Sequence, residues 1–158
     1  MLKRVVVAVD GSDASWEALA YAARIVEHGG SLALVDVKDL MSFFQATAGV
    51  SYNMSIGVDV SEYVKEWDTD AELVKKKALE QTKDFDGQVE WHVVESTDGK
   101  GGPAEALDSF ARNWNAEAIV VGRHHGSTLM EGMFGSFPRW LATHSHFPTT
   151  VVPVSKKD

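Results

Sequence analysis

The chain has 158 residues, of which 44% are hydrophobic, and it contains no cysteine. This length and composition predict a single domain, residues 1–158, with one continuous core. The formal net charge of −8 disfavours nucleic acid as a partner, because binding a phosphate backbone needs clustered lysine and arginine. The absence of cysteine excludes disulfides, thiolate nucleophiles and cysteine-ligated metal sites.

The N-terminal segment combines Lys3 and Arg4 with a following apolar run, as a signal peptide does. Asp10 ends that run well short of the apolar region of a signal peptide, so we interpret residues 5–9 as a first strand. No stretch of the chain reaches the roughly eighteen apolar residues that a membrane-spanning helix needs. We therefore expect no membrane association and a cytoplasmic location.

Strands and helices are predicted to alternate along the chain. Residues 5–9 are apolar without alternation, which is typical of a strand buried on both faces. Ser12 or Asp13 can cap a first helix, which the pair Gly29-Gly30 is expected to end. The later predictions are strands at 32–37, 89–94, 119–121 and 149–154, and helices from 61 to about 85, from 103 to about 115, where Asn115 is a left-handed terminator, and from 136.

This alternation predicts an α/β fold, with a single open, doubly wound, mostly parallel five-stranded sheet and helices on both faces, as in Rossmann-like proteins. Ligands of such sheets bind beyond the carboxyl ends of the strands, at a topological switch point. The loops that follow strands one and four, at Asp10 and Gly122, are expected to meet there. The apolar connector at 38–61 is interpreted as a packed helix, a lid or a partner surface.

The segment 122–136 is a glycine-rich loop that joins a strand to a helix. Glycines let the backbone approach a phosphate closely, and the positive end of the helix dipole attracts anions. The hydroxyl of Ser136 adds a donor. The alternative interpretation is an ordinary surface turn, with Ser136 serving only as a helix cap.

Four motifs resemble the universal stress protein family, and together they cover nearly the whole chain. They are Val-Val-Val-Ala-Val-Asp-Gly-Ser at 5–12, Gly-Pro-Ala-Glu-Ala at 102–106, Ile-Val-Val-Gly at 119–122 with Gly-Ser at 135–136, and Phe-Pro-Thr-Thr-Val-Val-Pro-Val at 147–154. The resemblance implies an adenine nucleotide alpha hydrolase-like fold that binds ATP, AMP or ADP, with Mg²⁺ carried by the nucleotide. It also implies a homodimer in which the strand at 149–154 pairs with its mate.

The resemblance further implies a set of contact residues. Asp10 would lie by the ribose and phosphates or by the nucleotide-bound Mg²⁺, and the backbone of Val37 would hydrogen-bond adenine. The full set of implied nucleotide contacts is Val9, Asp10, Val37, Gly122, His125, Gly126, Gly135, Ser136 and Phe137. From the residues alone, Asp10 is equally a turn residue that accepts backbone N–H bonds, and Val37 equally an ordinary strand residue.

The chain departs from the family's phosphate loop at one position. Nucleotide-binding members carry Gly, two residues, Gly, nine residues and Gly-Ser or Gly-Thr, whereas here His125 takes the middle register and Gly126 follows it. A bulky residue there would adopt positive φ or project into the phosphate space. Three hypotheses follow: a stress-response regulator that binds ATP, a nucleotide-free dimeric interaction module, and a slow ATP hydrolase. No residue is assigned a catalytic role, and the hydrolase is ranked last of the three hypotheses.

Overall fold

The computed structural model of the protein describes residues 1–39, 60–96, 102–123 and 136–155, and for residues 60–64, 66 and 67 it describes the backbone alone. Strands and helices alternate along these residues, as predicted. In chain order they are β1 (Leu2–Ala8), α1 (Asp13–Ile25), β2 (Val26–Asp39), α2 (Val60–Gln81), β3 (Gly87–Ser96), α3 (Gly102–Asn113), β4 (Ala118–Gly122), α4 (Ser136–His144) and β5 (Thr149–Val152).

The strands form one five-stranded sheet in the order β3-β2-β1-β4-β5. Each neighbouring pair is parallel. From β1 the chain proceeds outward through β2 to the edge strand β3, and then returns to place β4 on the other side of β1. The topological switch point of this doubly wound sheet therefore lies between β1 and β4, which confirms the predicted fold class.

The core has two layers, one on each face of the sheet. Successive residues of β1 alternate between them because neighbouring side chains of a strand point to opposite faces. Val5, Val7 and Val9 pack with Leu19 of α1 and Ala78 of α2. The other layer holds Val6 and Ala8 with residues of α3 and α4, including Leu107 and Leu141. All five residues of 5–9 are 0% exposed, as expected for a strand covered on both sides.

The predicted end of the first helix is wrong. Helix α1 ends at Ile25, and Gly29-Gly30 lie inside β2 instead. They lie in a bulge of β2, because the register between β1 and β2 shifts between the pairs Leu2–Val26 and Arg4–Ser31. A glycine is needed at position 30, because a Cβ atom there would lie only 2.5 Å from Val26 Cγ1 and 2.9 Å from the Lys3 carbonyl oxygen.

Other boundaries differ less from the predictions. Helix α2 ends at Gln81, strand β3 is longer at both ends, and β5 ends at Val152. Asn115 has a φ of 57°, which confirms it as the left-handed residue after α3. Of the helices that the structure describes, none is long and apolar enough to cross a membrane.

Candidate functional site at the carboxyl edge of the sheet

Asp10 and Ser12 shape the turn from β1 into α1. The Ser15 N–H donates to Ser12 Oγ at 3.2 Å, so Ser12 is the helix cap. The Ser12 N–H in turn donates to Asp10 Oδ1 at 2.9 Å. Asp10 thus accepts a backbone hydrogen bond, as the turn interpretation predicts, and its carboxylate is fixed beside the first turn of α1.

Gly122 brings the end of β4 against that same turn. A Cβ atom at this position would lie 2.6 Å from the carbonyl carbon and oxygen of Ala14 and 2.7 Å from its Cβ. Only a glycine allows this approach. Since β4 pairs with β1, with Val120 beside Val7, the loops at Asp10 and Gly122 do meet at the switch point.

Strand β2 extends past the end of β1. The parallel ladder between them ends at the pair Ala8–Val35, and the Val9 N–H donates to the Val35 carbonyl at 2.9 Å. Peptide groups of alternate residues in a strand point to the same side. The backbone of Val37 therefore faces the space above the end of β1, where the chain turns away at Asp10.

Asp36 lies at the same edge of the sheet and is not among the predicted contacts. Its side chain is half-buried at the carboxyl end of β2, directly after the fully buried Val35. Burial raises the pKa of Asp36 to about 6; the Lys38 ammonium acts to lower it and the Asp10 carboxylate to raise it. The available signal was a lone carboxylate inside an apolar run.

Lys38 links β2 to helix α2. Its Nζ lies 3.5 Å from Asp68 Oδ1, and its side chain is 17% exposed. Helix α2 also covers the turn after β1, because a Cβ at Gly11 would lie 2.8 Å from Val74 Cγ2. The carboxyl ends of β1 and β2 and one side of α2 thus surround a polar region that contains Asp10, Asp36 and Lys38.

Helix α4 contributes a second helix N-terminus. It follows β4 and precedes the parallel strand β5, so it begins at the carboxyl edge of the sheet. Ser136 is its first helical residue, and Phe137 is 6% exposed in the core layer that also holds Leu141. Phe137 therefore anchors the first turn of α4, and the positive end of a helix dipole is suited to anions.

Three of the predicted contacts, His125, Gly126 and Gly135, lie outside the described residues. The other six, Val9, Asp10, Val37, Gly122, Ser136 and Phe137, all lie at the carboxyl ends of β1, β2 and β4 or in the first turn of α4. Across 1–39, 60–96, 102–123 and 136–155, no group of three or more His, Asp or Glu side chains is placed to hold a metal ion.

The sheet order places the chain in the class of doubly wound α/β proteins. The universal stress protein family model matches residues 1–153, and the chain belongs to that family. It is 29% identical over 160 residues to a universal stress protein of Methanocaldococcus jannaschii, an alignment that covers 100% of this chain and 86% of that protein.

Solved structures show the same fold. The hypothetical protein MJ0577 superposes with a TM-score of 0.71 at 18% identity, covering 98% of each chain. A universal stress protein in complex with cAMP superposes with a TM-score of 0.59 at 21% identity, also covering 98% of each chain. At these identities the likeness concerns the fold.

Proposed function

We propose that the protein is a stress-response regulator that binds an adenine nucleotide at the carboxyl edge of β1, β2 and β4. The observation that carries this proposal is the close approach of Gly122 to Ala14, which brings the end of β4 against the first turn of α1 at the switch point. The cAMP complex of a protein with this fold supports the same class of ligand. The ligand would be ATP, ADP or AMP, with Mg²⁺ carried by its phosphates.

The proposed contacts divide by the part of the nucleotide that they meet. Adenine would bond the backbone of Val37, which faces the space above β1. Val9 and Asp10 would lie by the ribose, the phosphates and the Mg²⁺. The proposed phosphate contacts are Gly122, His125, Gly126, Gly135, Ser136 and Phe137. The N-terminus of α4 would supply backbone donors and a favourable dipole to an anion.

Asp10→Asn is expected to weaken binding of ATP with Mg²⁺ about tenfold, because it removes the carboxylate charge that is proposed to lie by the nucleotide-bound Mg²⁺. The measurement is isothermal titration calorimetry. Asp13→Asn is the matched control: Asp13 is exposed in the same turn, and its replacement should leave the affinity within about twofold. Equal losses in the two variants would contradict a specific role for Asp10, and thermal unfolding checks that both are folded.

We also propose a homodimer formed through the outer edge of β5, within residues 149–154. β5 is an edge strand of the sheet, and Val151 and Val154 are 37% and 39% exposed. An apolar strand edge is typically covered by a partner. The proposal includes a cytoplasmic location and no nucleic-acid partner.

Val151→Lys is expected to convert the dimer into a monomer, because a charge would be placed in the paired strands. Light scattering coupled to size-exclusion chromatography measures the mass. Val93→Lys is the matched control, since Val93 is 48% exposed on the opposite edge strand β3. If Val93→Lys halves the mass and Val151→Lys does not, the dimer forms through β3.

Two other hypotheses are kept as alternatives. His125 in the middle register of the phosphate loop favours a nucleotide-free dimeric interaction module of the same fold. A slow ATP hydrolase is the third, and it would require turnover that Asp10→Ala abolishes without unfolding the protein. We assign no catalytic residue.

A further inference from the structure

Asp36 carries a carboxylate that the contacts proposed above do not use. Residues 32–35 of β2 are 0% exposed, and Asp36 is the first residue after them, half-buried where β2 extends past β1. Within the part of the chain that the structure describes, no group donates a hydrogen bond to this carboxylate. Burying a carboxylate without a hydrogen bond costs free energy, so a ligand group that donates a hydrogen bond to Asp36 would stabilise it.

Two charged groups, Lys38 and Asp10, act on the carboxylate of Asp36. Lys38 lies on the same face of β2, two residues further on, but its ammonium is also 3.5 Å from Asp68 on α2. Asp10, at the end of the neighbouring strand, is acidic and acts against ionisation of Asp36. Asp36 is therefore a hydrogen-bond acceptor that lies between Lys38, which is shared with Asp68, and the second acceptor Asp10.

The position of Asp36 is similar to that of an acidic residue in one subclass of doubly wound sheets. In sheets that bind dinucleotides through a glycine-rich first turn, an acidic residue about 20 positions further on accepts a hydrogen bond from the ribose 2′-hydroxyl. Here Asp36 occupies the end of β2, beside the strand whose turn carries Asp10 and Ser12.

We propose that Asp36 selects the sugar of the ligand by accepting a hydrogen bond from the ribose 2′-hydroxyl. Ribonucleotides then bind in preference to 2′-deoxyribonucleotides, and a 2′-phosphate is repelled by the carboxylate. This inference rests on the proposed nucleotide-binding function and adds to it a specificity determinant.

The test is calorimetric titration of the full chain with ATP and with 2′-deoxyATP, each with Mg²⁺. The unmodified protein is expected to bind ATP at least about tenfold more tightly, the effect of one hydrogen bond to a charged acceptor. In Asp36→Leu, which has no acceptor, the ratio should fall to about one, and in Asp36→Asn it should be intermediate. Glu95→Gln, an exposed change at the end of β3, is the matched control and should keep the original ratio.

The outcomes separate this inference from the proposed function. If the unmodified protein binds ATP and 2′-deoxyATP equally, the role of Asp36 is wrong and nucleotide binding stands. If a folded Asp36→Leu variant still binds ATP more tightly than 2′-deoxyATP, the role of Asp36 is also wrong. The same holds if the unmodified protein binds 3′-deoxyATP, and not 2′-deoxyATP, more weakly than ATP. If neither nucleotide binds, the proposed function fails and the inference fails with it.

Discussion

Gly122→Ala is expected to lower the free energy of unfolding by about 3 kcal/mol, the upper end of the usual effect of overpacking. The added methyl group would lie 2.6 Å from the backbone carbon and oxygen of Ala14. A backbone cannot rotate away as a flexible side chain can, so the first turn of α1 would have to move away from β4. Urea denaturation, with the midpoint and slope fitted together, measures the change.

Gly29→Ala is the matched control for this prediction. Gly29 has a φ of 75°, and an added Cβ there meets nothing within 4 Å. Its replacement should cost only the strain of the left-handed backbone, about 1 kcal/mol. If the two variants lose the same stability, contact with Ala14 is not what requires a glycine at 122.

The same substitution should affect the proposed site. Moving the first turn of α1 would displace the Ser12 N–H that fixes Asp10 Oδ1 at 2.9 Å. We therefore expect Gly122→Ala to weaken binding of ATP with Mg²⁺ by at least about tenfold. Gly29→Ala, in the bulge at the other end of β2, should leave that affinity unchanged.

Asp108→Ala is expected to cost about 3 kcal/mol, because it breaks a buried hydrogen-bond network. The side chain of Asp108 on α3 is 3% exposed. Its Oδ1 accepts from Ser145 Oγ at 2.6 Å and from the His146 N–H at 3.1 Å, and its Oδ2 lies 2.8 Å from His146 Nδ1. These bonds tie the turn between α4 and β5 to α3. Urea denaturation measures the loss.

The contribution of Asp108 should depend on pH in a defined direction. Burial acts to raise the pKa of Asp108, but the hydrogen bonds from Ser145 and His146 outweigh burial and hold the pKa below its usual value. Its unfolded-state pKa is about 3.9. The stabilisation is therefore fully present above about pH 4 and is lost as the pH falls through the lower folded-state pKa.

In Asp108→Asn the free energy of unfolding should accordingly fall less steeply at acid pH than in the unmodified protein. Urea denaturation from pH 7 down to acid unfolding measures this acid limb of the stability profile. Glu105→Gln is the matched control, because Glu105 is an exposed carboxylate on the same helix. An unchanged acid limb in Asp108→Asn, or an equal change in Glu105→Gln, would contradict the assignment.

The order of elements could be predicted from the sequence because the signals for it are local. The apolar run at 5–9 and the cap at Ser12 are formed by neighbouring residues, and both are confirmed. The end of α1 could not be predicted from Gly29-Gly30. Gly30 lies close to Lys3 of the neighbouring strand, where the register shifts, and no local pattern reveals that contact.

The candidate site shows the same limit. Asp10 and Gly122 follow apolar strands directly, so their meeting at the switch point follows from the topology alone. Asp36 could not be predicted because its environment is formed by separate elements: the half-buried end of β2, the turn after β1 and helix α2. A single charged residue in an apolar run indicates neither its burial nor its neighbours.

Calorimetric titration of the protein with ATP and Mg²⁺ tests the proposed function most directly. We expect saturable binding with one site per chain, weakened in Asp10→Asn and retained in Asp13→Asn. No heat at millimolar ATP, with the protein shown to be folded by its thermal transition, would contradict nucleotide binding and favour the dimeric interaction module.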